Sequence, residues 1–107
     1  MKEMIETDVR EIKRWIDNGE AVIVDVREPE ELAVARVPGA VHIPMSAFDP
    51  NQVPDETHQK VVFMCAAGIR SFNVGTYLLQ HDMIDEAYNM AGGIQAWAGA
   101  GYPVETN

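Results

Sequence analysis

The chain's single cysteine, Cys65, stands at the end of the apolar run Val61-Val62-Phe63-Met64 and is followed by Ala66-Ala67-Gly68-Ile69-Arg70-Ser71. Small residues and a glycine let successive backbone amides turn toward one point. A helix beginning just beyond them adds positive potential, so the loop reads as an anion-binding concavity. A thiolate is one such anion, and the amides together with Arg70 are expected to hold the cysteine pKa below the ordinary thiol value of about 8.5. A cysteine already ionised at neutral pH is a nucleophile that needs no separate general base. The competing possibility is a buried cysteine acting as a small hydrophobe. Such a residue has no use for Gly68, Arg70 or a helix start at Ser71, so the spacing favours a reactive thiolate.

The rest of the composition removes alternatives. One cysteine cannot form an intramolecular disulfide or supply the cysteine ligands of a structural zinc site. His42, His58 and His81 are far apart in the chain, so no histidine pair sits at metal-binding spacing and no metal or cofactor is expected. With 8 Lys plus Arg against 17 Asp plus Glu, the formal charge is -9. That field repels phosphate backbones and anionic lipid, and the basic residues form no patch. Lys13 and Arg14 alternate with acids on what reads as a solvated helix face, so neither nucleic acid nor a membrane is an expected partner. The opening MKEMIETDVR carries three acids, and no run approaches the ~18 apolar residues of a membrane span, so a cytoplasmic location is expected. At 107 residues the chain is expected to form one domain over 1–107 without staples.

The elements that must position Cys65 follow from periodicity. Thr7 or Asp8 with Glu11 gives a helix-start signal, and Val9, Ile12 and Ile16 follow at helical spacing up to Gly19, predicting a helix over 8–18. Ala21 to Val26 is a continuous β-branched run, the pattern of a strand buried on both faces and hence of a parallel sheet. Pro29 opens a short helix over 29–35, and Ala40 to Ile43 forms only a brief strand before Pro44. Between Pro44 and Lys60 the prolines divide the chain into turns or helical fragments, with Met45, Phe48 and Val53 anchoring it to the core. A second buried strand, 61–64, leads into the cysteine loop, and Val74, Tyr77, Leu78 and His81 predict a helix from Ser71 to about Asp82. A strand near 86–89 and a small helix from Gly92-Gly93 through Trp97 close the pattern. Alternating strands and helices of this kind predict a parallel α/β sheet with helices on both faces.

Four segments together resemble the rhodanese-like sulfurtransferases over essentially the whole chain. Val24-Asp25-Val26-Arg27-Glu28 looks like the first family signature, and Val37-Pro38-Gly39-Ala40 with His42-Ile43-Pro44 like the second. Cys65 through Ser71 is similar to the active loop, and Gly92-Gly93 with Ala96-Trp97 to the C-terminal motif. The resemblance implies a five-stranded parallel sheet flanked by helices. It also implies that Cys65 takes sulfane sulfur from a donor such as thiosulfate, holds it as a persulfide cradled by the amides of residues 66–71, and passes it to cyanide or to a thiol such as glutathione or thioredoxin. A regulatory or docking module of the same family is the alternative, although members that have lost activity typically lack the cysteine.

Loop length and composition refine the expectation. Four residues separate Cys65 from Arg70, whereas related cysteine phosphatases use five to cradle a tetrahedral phosphate, so the shorter loop suits a single sulfur atom. Many thiosulfate-using members have a basic residue inside the loop, but Ala66, Ala67 and Ile69 leave Arg70 as the only charge, which points to weak thiosulfate affinity. Arg36 stands where the family usually has histidine. Asp25, Arg27 and Glu28 read as scaffold, Trp15 and Trp97 as core anchors, and His81 as a surface residue near a helix C-terminus.

Overall fold

In the computed structural model, which describes residues 2–106, the chain begins with a short strand, β1 (Ile5–Thr7), and helix α1 (Val9–Asp17). The Asp8 side chain accepts from the Glu11 backbone N–H, so of the two candidates Thr7 and Asp8 it is Asp8 that caps the helix. Strand β2 (Ala21–Asp25) leads to helix α2 (Pro29–Val34), where Glu28 and Glu31 form a capping box around Pro29. Two brief strands follow, β3 (Ala35–Arg36) and β4 (Val41–His42), and then two 3-10 turns, Met45–Ala47 and Pro50–Gln52. Strand β5 (Lys60–Met64) enters the cysteine loop and helix α3 (Ile69–Gln80). The chain ends with β6 (Tyr88–Met90), α4 (Gly93–Gly99) and β7 (Glu105–Thr106).

Five strands form one sheet in the order β1-β6-β5-β2-β4, and every pairing in it is parallel. The fold class read from the sequence is the one observed. Burial on both faces explains the unbroken apolar runs. Along β5 and its extension, Val61, Phe63 and Cys65 enter a cluster with Val74, Leu78 and Leu79 of α3, while Val62 and Met64 enter a second with Ile12 and Trp15 of α1 and Ile94 and Trp97 of α4. The central strand thus joins both halves of the core and delivers Cys65 at its carboxyl end, the usual place for a ligand on an open parallel sheet. No helix among the described residues is long and apolar enough to cross a membrane.

Several boundaries differ from expectation. Helix α3 starts at Ile69 rather than Ser71, because Gly68 at φ 98° is its N-cap and its first turn carries the exposed Ile69 and the polar Arg70, which carry no apolar periodicity. The predicted 86–89 strand lies at 88–90, where pairing with β5 and β1 defines it. Strand β1 and the antiparallel pair β3–β7 were not expected, since two or three residues become a strand only through a partner. Of the proposed anchors between the prolines, Phe48 and Val53 pack against the α3-side cluster, but Met45 is 41% exposed and belongs to neither cluster.

Candidate active site

Cys65 is 1% exposed, and its sulfur is met by donors from the loop that follows it. The Gly68 N–H donates to Sγ at 3.1 Å, and the Ser71 hydroxyl lies 3.3 Å away. Burial pushes the thiol pKa up, but hydrogen bonds from the Ser71 hydroxyl and from the amides of Ser71, Gly68 and Ala67 outweigh it, leaving the thiol below its ordinary value. The inward turn depends on Gly68: a Cβ there would sit 3.2 Å from the Met90 carbonyl and 3.3 Å from the Gly92 amide.

Amides that turn inward leave carbonyls facing outward, and these need donors of their own. Helix α4 supplies two. The Ile94 N–H donates to the Cys65 carbonyl at 2.9 Å and the Gln95 N–H to the Ala66 carbonyl at 3.2 Å. The Asn89 side-chain amide donates to the Gly68 carbonyl at 3.0 Å. Gly93 permits this docking, because a Cβ on it would come within 2.4 Å of the Cys65 carbonyl oxygen. The Gly92-Gly93 turn therefore does more than join β6 to α4. It lets the first turn of α4 grip the back of the cysteine loop.

Arg70 is placed differently from the sequence expectation. Its guanidinium is bidentate on Glu31, with Nη1 to Oε1 at 2.7 Å and Nη2 to Oε2 at 2.8 Å. The Arg70 hydrogen bonds hold the Glu31 carboxyl down at about 2. Arg70 and Cys65 still act on each other through space. The hydrogen bonds on the sulfur, however, come from Ser71 and the amides, not from Arg70. Ala66 and Ala67 contribute small size, and Ile69, 70% exposed, faces outward beside the loop.

The remaining signature residues are structural. Asp25 is 1% exposed and accepts from the Arg27 backbone N–H at 2.9 Å and from its guanidinium, with Nη2 to Oδ2 at 2.8 Å. Arg27 in turn donates to the Ala35 carbonyl at 2.9 Å, so the buried pair ties the ends of β2 and α2 together. Glu28 caps α2 and accepts from Ser46. Arg36 pairs with Glu105 across β3–β7 at 3.3 Å. Trp15 and Trp97 are core residues, and exposed His81 is the α3 C-cap, stacked near Tyr77. Among the described residues no group of three or more His, Cys, Asp or Glu could hold a metal ion. Three partners escaped the sequence reading: Asn89, Glu31 and the α4 amides. The only available signal was position, since Asn89 is a polar residue within a short strand paired beside Cys65's own.

Comparison with known proteins agrees with this geometry. The family described as Rhodanese-like domain matches residues 8–100. A sulfurtransferase of Allochromatium vinosum is 33% identical over 92 residues, 86% of this chain and 85% of that protein. The thiosulfate sulfurtransferase GlpE of Actinobacillus succinogenes is 30% identical over 102 residues, 94% of this chain and 91% of that protein. A rhodanese-related protein of Thermoplasma volcanium superposes with a TM-score of 0.78 at 26% identity, covering 96% of this chain and 99% of that one.

Proposed function

The chain belongs to the rhodanese-like domain family, and we propose that within it the chain acts as a one-domain sulfurtransferase whose Cys65 carries sulfane sulfur as a persulfide. The observation that supports this reading is the convergence of the Ser71 hydroxyl and the amides of Ala67, Gly68 and Ser71 on one buried sulfur. With thiosulfate as donor, the Cys65 thiolate attacks the outer sulfur, a new S–S bond forms, and the old one breaks with its electron pair leaving on sulfite. The persulfide keeps one negative charge, which donors aimed into the loop stabilise. In the second half-reaction cyanide or a thiol attacks the terminal sulfur and the electron pair returns to Sγ, so the two steps run in ping-pong order. Residues 66–71 form the cradle, and no cofactor takes part.

Glu31 neutralises Arg70, and Ala66, Ala67 and Ile69 carry no charge, so the loop mouth suits a thiol acceptor such as glutathione or thioredoxin better than a dianion. Intact-mass measurement tests the reading: thiosulfate or a persulfide donor should add one sulfur to the wild-type chain, cyanide should remove it, and Cys65→Ser should never gain it. Loading of Cys65→Ser would refute the role of Cys65. A reactive Cys65 that no donor loads would favour a binding module instead.

A further inference from the structure

Asn89 is 1% exposed in the middle of β6, paired with Phe63 of the strand that delivers Cys65. Its Nδ2 donates to the Gly68 carbonyl at 3.0 Å and to the Glu6 carboxylate at 2.9 Å. Those two acceptors fix the amide, since a half-turn would set its carbonyl oxygen against both of them. Oδ1 therefore faces Ser71 Oγ, 2.6 Å away. Ser71 Oγ is also the hydroxyl 3.3 Å from Cys65 Sγ. A hydroxyl owns one proton, and here two acceptors stand ready for it.

We propose that Asn89 is a positioning residue that competes with the Cys65 sulfur for the single hydroxyl proton of Ser71. With a neutral thiol the chain is satisfied: S–H donates to Ser71 Oγ, and Ser71 O–H donates to Asn89. With a thiolate it is not. Turning the hydroxyl to sulfur sets Ser71 Oγ and Asn89 Oδ1 against each other as two lone-pair oxygens in a buried site; leaving it on Asn89 presents lone pairs to the anion. Asn89 thus opposes the thiolate that the loop amides favour. The competition has a use in sulfur transfer, and in that respect the inference rests on the sulfurtransferase reading. While the persulfide charge sits on the outer sulfur, the hydroxyl stays with Asn89. When an acceptor attacks that sulfur, the Sγ–S bond breaks, the electron pair moves to Sγ, and the hydroxyl turns to meet it. A thiol made too acidic is also a weaker nucleophile, so the restraint keeps Cys65 reactive.

Other charges around the sulfur are Arg70 on α3, bound to Glu31 of α2, with Glu28 beside them, and Glu6 of β1 acting through Asn89. The test is therefore a cycle that holds them constant. Iodoacetamide alkylation of Cys65 is followed against pH in the wild type, Asn89→Ala, Ser71→Ala and the double variant. Asn89→Ala should raise the rate about fivefold on the acid side of the titration, the change expected when one hydrogen bond to the anion is no longer contested. In the Ser71→Ala background the same substitution should give no such gain, leaving only the loss of the Gly68 support. An equal effect with and without Ser71 would mean that Asn89 acts only by holding Gly68, and a slower reaction would reverse the proposed sign; either overturns the inference. Because Asn89 is buried, Glu6→Ala on the exposed edge strand serves as a second variant: a gain about twofold larger with Ser71 than without it is expected, and an equal gain in both backgrounds overturns the inference. No sulfur donor enters this assay, so its failure is distinct from failure to load Cys65.

Discussion

At the residue scale, the consequential pairing is Glu31 with Arg70. Arg70 is the loop's only cation, and a bidentate carboxylate occupies its Nη1–Nη2 edge and offsets the charge that an incoming anion would meet. Glu31→Gln removes the charge while a Gln oxygen can still accept from the Glu28 backbone N–H, the capping bond now 3.0 Å long. The variant should lower the KM for thiosulfate about threefold to tenfold with kcat little changed, because the gain is in binding the dianion. A KM that stays put or rises would show that Arg70 does not reach the donor. The same pair has a pH signature. The folded Glu31 pKa, about 2, lies below its ordinary 4.5, so the pair's stabilisation is complete above the ordinary value and is lost as pH falls through the folded one. The stability difference between wild type and Glu31→Gln in urea unfolding should accordingly be present at neutral pH and close between pH 4.5 and 2. Arg70 was legible in the sequence as the loop's charge. Its partner was not, because the sequence EPEELAVA predicts a helix without saying which of its acids faces a loop thirty-nine positions later.

At the element scale, the cysteine loop is held from behind by α4, together with Asn89 of β6, and Gly93 is where α4 makes its closest approach. Gly93→Ala would combine a left-handed φ of +61° with a Cβ within 2.4 Å of the Cys65 carbonyl and 2.5 Å of the Ala66 carbonyl. Neither neighbour can yield, since both are backbone. The substitution should cost about 2–4 kcal/mol in unfolding and slow Cys65 alkylation by loosening the amides that face sulfur. Gly99→Ala is the control: nothing lies within 4 Å of its Cβ, and helix propensity predicts a gain of up to about 1 kcal/mol. If Gly93→Ala behaved like the control, α4 would not be the loop's support. The elements that were readable carried their own local signal, such as Asp8 with Glu11 at the α1 cap and the unbroken Val61 to Met64 run. The unreadable ones are defined by partners. Strand β1 exists because Ile5 to Thr7 lie against Tyr88 to Met90, and α3 begins two residues early because Gly68 can adopt a conformation that apolar spacing does not report.

At the scale of the whole molecule, the charge of -9 opposes the anion that the loop amides attract. The two effects differ in range, which makes them separable. Short hydrogen bonds to a buried sulfur are little affected by salt, whereas the field of surface carboxylates is screened over ~10 Å at 0.1 M. For a dianion approaching a negative protein, screening removes repulsion, so loading of Cys65 by dilute thiosulfate should accelerate about twofold to threefold between roughly 10 and 200 mM salt. Uncharged iodoacetamide, meeting the same sulfur, should show almost no salt effect. Glu31→Gln should flatten the thiosulfate response, because it deletes one carboxylate at the mouth and frees a cation there. A thiosulfate rate that falls with salt would mean that Arg70's local field already outweighs the rest of the surface, and Glu31 would then be a weaker brake on thiosulfate than its bidentate geometry implies.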